Sequence, residues 1–239
     1  YNGMIKSLRR ALAAWPDDGL LRSDLGNAQA AAGDIDAAIA SWRRATELAP
    51  DQAMPWFNLG RQLQLRGDSM AAAKALERAV DIAPDLLPAR ILHGDALVHL
   101  GRFDDAIAHY RAALALHPAC GDAWRGLANI KTRALDENDR AHMHTLLQVA
   151  TTGDSDRIAI GFALGKAEED AGHHAEALAA LTTANALQRP MRDGSEWAPA
   201  CASLANRLCD GEAATRRSIP KSAPALIDAE RVAGRSRSG

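Results

Sequence analysis

The sequence predicts an all-α fold, a solenoid of antiparallel helix pairs, and three observations carry that prediction. The first is composition. Of 239 residues, 52 are Ala and 28 are Leu, whereas Ile and Val together number 15 and aromatics make up 4%. Strands draw on the β-branched and aromatic types that are scarce here, and helices on the types that are abundant. The second is a 34-residue period, shared by glycines at Gly26, Gly60 and Gly94 and by prolines at Pro16, Pro50, Pro84 and Pro118. A repeat of that length is one supersecondary unit that buries its apolar face by stacking on its neighbours. The third is that no run approaches the ~18 apolar residues of a membrane span, so no membrane partner is expected.

Each element of the unit has its own residues. Gly33, Gly67 and Gly101 stand where the first helix closes in a left-handed residue. Asp36, Ser69 and Asp104 are suited to cap the second helix. The prolines end that helix and open the next unit. Small residues such as Gly60 and Ala72 mark where paired helices touch. Large apolars fill another column at Leu8, Trp42, Leu76 and Tyr110. Trp42, Trp56 and Trp124 fall in repeat columns and are expected in the core. The units read as a half repeat at 1–18, repeats at 19–52, 53–86 and 87–120, a degenerate unit at 121–157 and a last repeat at 158–189. A connecting helix is expected at 190–212 and a basic tail or the start of another domain at 213–239. The step from Ala128 to Gly165 is 37, so the fourth unit carries three extra residues; its second helix is expected from Ala141 to Ala150, after Asn138 and Asp139. Met4, Leu8 and Ala11 read as the second helix of a pair whose first helix is missing, which points to truncation at the start; the alternative is an atypical capping helix.

Charge and reactive residues exclude several function classes. The net charge of -2 lacks the basic excess of a chain that binds phosphate backbones, so no nucleic-acid partner is expected. Cys120, Cys201 and Cys209 form no CxxC and no disulfide framework, which suits a reducing, cytoplasmic setting. His142 and His144 are two apart and point to different helix faces, and His173-His174 fall at a turn; no metal site is expected. No nucleophile motif or Gly-rich phosphate loop lies within the repeats, so no catalysis and no cofactor are expected of the array.

The columns resemble the tetratricopeptide repeat, whose best copy here is Trp56, Leu59, Gly60, Leu63, Ala72, Leu76, Ala79 and Pro84. The resemblance implies a right-handed superhelix in which the first helices line a concave face. Transferred residue by residue, the groove positions are Ser23 and Asn27; Phe57, Arg61 and Gln64; Asp95 and His99; Arg125, Asn129 and Arg133; Phe162 and Lys166. The expected partner is a protein or peptide held in that groove. The Lys/Asn carboxylate clamp of some tetratricopeptide co-chaperones is not reproduced by Ser23/Asn27 and Phe57/Arg61.

A second resemblance is confined to Trp124–Arg189. Trp124-Arg-Gly-Leu-Ala-Asn-Ile-Lys131, Phe162-Ala-Leu-Gly-Lys166 and Asn185-Ala-Leu-Gln-Arg189 resemble the junction between array and catalytic domain in bacterial tetratricopeptide-repeat sulfotransferases. That implies a recruiting array whose catalytic domain, dependent on 3′-phosphoadenosine-5′-phosphosulfate, is mostly missing from this chain. Gly234, Arg237, Ser238 and Gly239 match the opening of that family's donor-binding loop, with Ser236 in place of Pro. The alternative is a basic Arg/Ser tail on a stand-alone scaffold that binds a peptide or helix.

Overall fold

A computed structural model describes residues 1–130, 135–149 and 151–193, with side chains described up to 188. Residues 1–189 form one compact unit; a second begins at Pro190, and of it only the backbone up to Asp193, the end of the last helix, is described. The expected connecting helix at 190–212 therefore lies almost wholly outside the described residues, as does the tail. Among the described residues the structure is helices and turns, with no strand.

The elements in order are α1 (Asn2–Ala14), α2 (Gly19–Ala31), α3 (Ile35–Leu48), α4 (Ala53–Leu65), α5 (Ser69–Ile82), α6 (Leu87–His99), α7 (Phe103–Leu116), α8 (Gly121–Asn129), α9 (Glu137–Gln148), α10 (Asp154–Asp170) and α11 (His174–Asp193). Pairs α2–α3, α4–α5 and α6–α7 pack closely. They run antiparallel: Gly19 meets Ala49 at one end of α2–α3, Gly26 lies over Trp42, and Gln29 reaches Ser41 at the other end.

One short device makes each hairpin. Gly33, Gly67, Gly101 and Gly172 have φ between 74° and 85°, the left-handed region that favours glycine. The amide after each glycine donates back to a carbonyl five residues earlier, as from Asp34 to Gln29 and from Asp68 to Leu63, which closes a Schellman turn. The same residue then opens the next helix. Asp34 accepts from the Ala37 amide and Asp68 from the Ala71 amide. The expected caps Asp36, Ser69 and Asp104 are corrected by this arrangement. They already lie inside their helices, because the residue that directly follows the glycine is itself the cap. Arg102 holds the equivalent position in the third unit and offers no side-chain cap.

The prolines have a partner that their column does not advertise. The carbonyls of Pro16, Pro50, Pro84 and Pro118 accept from Arg22, Trp56, Arg90 and Trp124, each six residues onward, at 2.7–3.3 Å. Trp42 and Trp124 are buried, but Trp56 is only partly so. Its indole serves as the latch over Pro50, a role that the arginines share.

Where paired helices touch there is no room for a side chain. A Cβ on Gly60 would stand 2.6 Å from Leu76 Cγ and 3.3 Å from the Ala72 carbonyl. Gly60→Leu is expected to cost roughly 1–3 kcal/mol, the range for overpacking a filled core. A thermal or urea melt that matches the parent would show the register to be wrong.

The fourth unit departs from the pattern. Here α8 packs chiefly on α10, not on α9. The two run in the same direction, with Gly121 donating to Asp156 and Lys166 donating to Asn129. The helix expected from Ala141 to Ala150 begins earlier, at Glu137. Its cap is Asp136, in a reciprocal capping box with Asp139. Charges hold α9 in place. Asp139 accepts two bonds from Arg111 of α7 at 2.5 and 2.6 Å. Burial alone would raise the Asp139 carboxyl, but the Arg111 hydrogen bond and its charge bring it below the usual range. On the other side Glu168 of α10 takes Arg140 and His144 of α9.

Candidate interaction face

The first helices α2, α4, α6, α8 and α10 present one residue each just after the tight helix–helix contact: Asn27, Arg61, Asp95, Asn129 and Lys166. These five share a column because each follows the small residue that lets the helices close. What differs is the large residue beneath that contact, fifteen positions later. In the first unit it is Trp42, whose Nε1 donates to Asn27 Oδ1 at 3.1 Å. In the third it is Tyr110, whose hydroxyl donates to Asp95 Oδ1 at 2.5 Å. In the second and last units it is Leu76 and Leu181, which donate nothing. Asn27 and Asp95 are therefore held by the core below them, while Arg61 is an exposed cation and Lys166 a half-exposed one.

Neighbouring first helices are joined along the same line. Asn58 of α4 donates to Asn27 Oδ1 at 3.0 Å. Lys166 of α10 donates to Asn129 Oδ1 at 3.2 Å. Burial pushes the Asp95 carboxyl up, partly offset by the Tyr110 bond and by the nearby Arg125 charge. Burial, with the Asp95 charge, also pushes the Tyr110 hydroxyl up. Tyr110 is wedged in place: a Cβ on Gly94 or Gly126 would come within 2.7 Å of its ring.

The groove positions inferred from the sequence divide into three kinds. Asn27, Asp95 and Asn129 each have their Oδ1 committed to another side chain of this chain. Phe57, Arg61, His99 and Arg125 offer exposed or half-exposed groups. The Arg61 guanidinium lies over the Phe57 ring, 5.9 Å from its centroid, and has no ion-pair partner among the described residues. Arg125 pairs with Asp122 at 2.8 Å. Gln64 is half-buried, with its Oε1 enclosed and unpartnered. Ser23 is buried, 7% exposed, so it cannot contact a ligand as expected. Phe162 is partly buried. Arg133, Gly234, Arg237, Ser238 and Gly239 lie outside the described residues. The repeat columns do not mark Trp42, Tyr110 and Asn58 as partners of this face. An indole or phenol fifteen residues beyond Asn27 and Asp95 was the available signal.

A family model for the tetratricopeptide repeat matches residues 5–53, 23–86 and 91–137. The chain belongs to the tetratricopeptide repeat family. Solved tetratricopeptide structures share the fold. YrrB, described as a protein with an unusual peptide-binding site, superposes with a TM-score of 0.61 at 16% identity, over 77% of this chain and 94% of its own. MamA from Desulfovibrio magneticus RS-1, from residue 41 to its end, gives 0.55 at 18% identity, over 72% and 96%. The Cut9–Hcn1 hetero-tetramer of APC/C gives 0.57 at 16% identity, over 79% of this chain and 37% of the other. At these identities the likeness is one of tetratricopeptide architecture. No curated protein matches the chain by sequence.

Proposed function

We propose that this tetratricopeptide array is a protein-interaction module that holds an extended or helical peptide across its first-helix face, with Phe57 and Arg61 as the central anchor. The observation that carries the reading is Arg61 itself. It is an exposed cation over an aromatic ring, in a column where Asn27, Asp95 and Asn129 are committed to neighbours. Aromatic and Arg positions of this kind concentrate binding energy at interfaces. An acidic group on the partner would satisfy Arg61, and an apolar side chain beside it would cover Phe57. Among the described residues no helix is long and apolar enough to cross a membrane, and the buried Cys120 thiol is pushed up by its burial.

The test is to select peptides on the immobilised protein, then measure the selected sequence against Arg61→Glu and Arg125→Glu by fluorescence anisotropy. Arg61→Glu is expected to weaken binding by roughly tenfold or more, and less at high salt. Arg125, already paired with Asp122, should matter less. Unchanged affinity in both variants would remove the face from the argument.

The finer reading is that the array recruits an acceptor for a sulfotransferase domain that uses 3′-phosphoadenosine-5′-phosphosulfate. It rests on the Trp124–Arg189 resemblance, and that segment is also where the 34-residue step breaks and α8 turns to α10. Under this reading the 239 residues should not turn over acceptor alone, since transfer needs a positioned donor and a general base. Assays of this chain and of any longer natural product of the gene, with the donor and hydroxyl acceptors, decide it. Turnover by the 239 residues, or no donor binding by the longer product, would overturn it.

A further inference from the structure

Two histidines break the repeat pattern at one place. His93 stands where Leu25, Leu59 and Leu127 stand in other units, and His109 stands where Ala75 stands. Their rings meet between α6 and α7, with centroids 4.2 Å apart and planes tilted by 54°. His93 is 5% exposed. The Nδ1 atoms of both rings are buried and have no hydrogen-bond partner. Leu59 and Ala75 occupy the corresponding positions in the second unit, so the repeat does not need imidazoles there. The Tyr110–Asp95 bond joins the same two helices, with Asp95 two residues beyond His93 on α6 and Tyr110 next after His109 on α7.

We propose that the His93–His109 pair is an acid-operated release for the third helix pair: proton uptake by either ring drives α6 from α7 and, with it, opens the Tyr110–Asp95 bond that ties the same two helices. The inference goes beyond the peptide-binding reading and does not depend on it.

The physical argument is one of uncompensated charge. A neutral imidazole tolerates this space, but a protonated one meets a second ring and lacks an acceptor for its buried N–H. The surrounding charges do not supply one cleanly. Arg90 on α6 and Arg102 at the start of α7 oppose protonation, while Glu77 and Asp81 of α5 and Asp105 of α7 favour it. Lys74 of α5 lines the same cleft beside His93. Asp81 is already paired with Arg78 at 3.4 Å, and Asp105 with Arg102 at 2.7 Å. Burial first, then the neighbouring ring, lowers His93 to about 4. Burial, then Arg90, lowers His109 as well.

The direction of the effect follows. Unfolded, the rings take protons as pH drops through about 6.5; folded, His93 takes one only near 4. The unfolded state therefore binds more protons between these values, so stability present above pH 6.5 is lost as pH falls toward 4. At pH 5 the unfolding constant should exceed its pH 8 value by on the order of tenfold through this pair alone.

The experiment compares the natural chain with the double variant His93→Leu, His109→Ala, which copies Leu59 and Ala75 of the second unit. Urea unfolding at pH 8 and pH 5 gives the two ratios, and hydrogen exchange locates the opening. The expected result is an extra loss of about tenfold in the natural chain at pH 5, with exchange rising first in α6 and α7. A double variant with the same pH dependence as the natural chain would overturn the proposal. Should that variant fail to fold, NMR titration of the two rings in the natural chain decides instead. Titration well below 6.5 supports the release, and ordinary titration near 6.5 overturns it.

Discussion

Trp42→Ala should lower the unfolding free energy by roughly 3–5 kcal/mol, the range for deleting a buried aromatic. Trp42 is 1% exposed, and its ring fills the hollow under Gly26, where a Cβ would stand 2.6 Å from Nε1. Truncation empties that hollow and also removes the donor that fixes Asn27, which in turn accepts from Asn58 of the next unit. The damage should be concentrated in α2–α4, because each unit of a solenoid contacts only its neighbours. Trp42→Phe keeps most of the volume and loses the hydrogen bond, so it should cost only about 0.5–1.5 kcal/mol beyond repacking. Urea unfolding with hydrogen exchange measures both. A Trp42→Ala variant within about 1 kcal/mol of the parent would mean that the first unit is not packed as described.

Glu168→Ala is expected to cost roughly 2–4 kcal/mol, somewhat below the figure for breaking a fully buried ion pair. The Glu168 side chain is 5% exposed. One carboxylate oxygen lies 2.7 Å from His173 Nδ1 and 3.4 Å from Arg140 Nε, and the other lies 3.3 Å from His144 Nε2. Removing it strands Arg140, whose side chain is 16% exposed, and unties α9 from α10 and from the turn into α11. The discount from a full buried pair reflects the half-exposed histidines, which water can satisfy. Hydrogen exchange should show α9 loosening before α4 or α5. An α9 that stays as protected as before would show that its other tie, Arg111–Asp139, suffices alone.

The repeats were readable because the residues that define them act locally. Gly67 specifies a left-handed turn wherever it stands, and Gly60 specifies a close helix contact because any side chain there meets Leu76. Such rules recur at a fixed step, so periodicity reveals them. The caps were misplaced by one or two residues for a related reason. Asp34 and Asp36 are equally good caps by type, and only the Schellman closure at Gly33 selects the first. The column of Trp56 points to the core, and its ring does pack there while partly exposed, but the same column carries a donor for the Pro50 carbonyl, which is why Arg22 and Arg90 fill it elsewhere.

The face was only partly legible. The column Asn27, Arg61, Asp95, Asn129 and Lys166 follows directly from the repeat step, but the sequence treats its members as equivalent. Tertiary packing separates them, because Trp42 and Tyr110 reach up through the helix contact while Leu76 and Leu181 cannot. By itself, then, the sequence determined the helix pairs of the first three units, their antiparallel pairing and the column of residues that follows each tight helix contact, all consequences of local sterics repeated every 34 residues. Only the tertiary structure decided which of those side chains remain available to a partner, that His93 and His109 share one buried space, and that α8 turns to α10 while α9 is held by Arg111 and Glu168. Those outcomes depend on ion pairs, hydrogen bonds and ring contacts between residues 12 to 37 apart in the chain, and no period in the sequence records which donor will meet which acceptor.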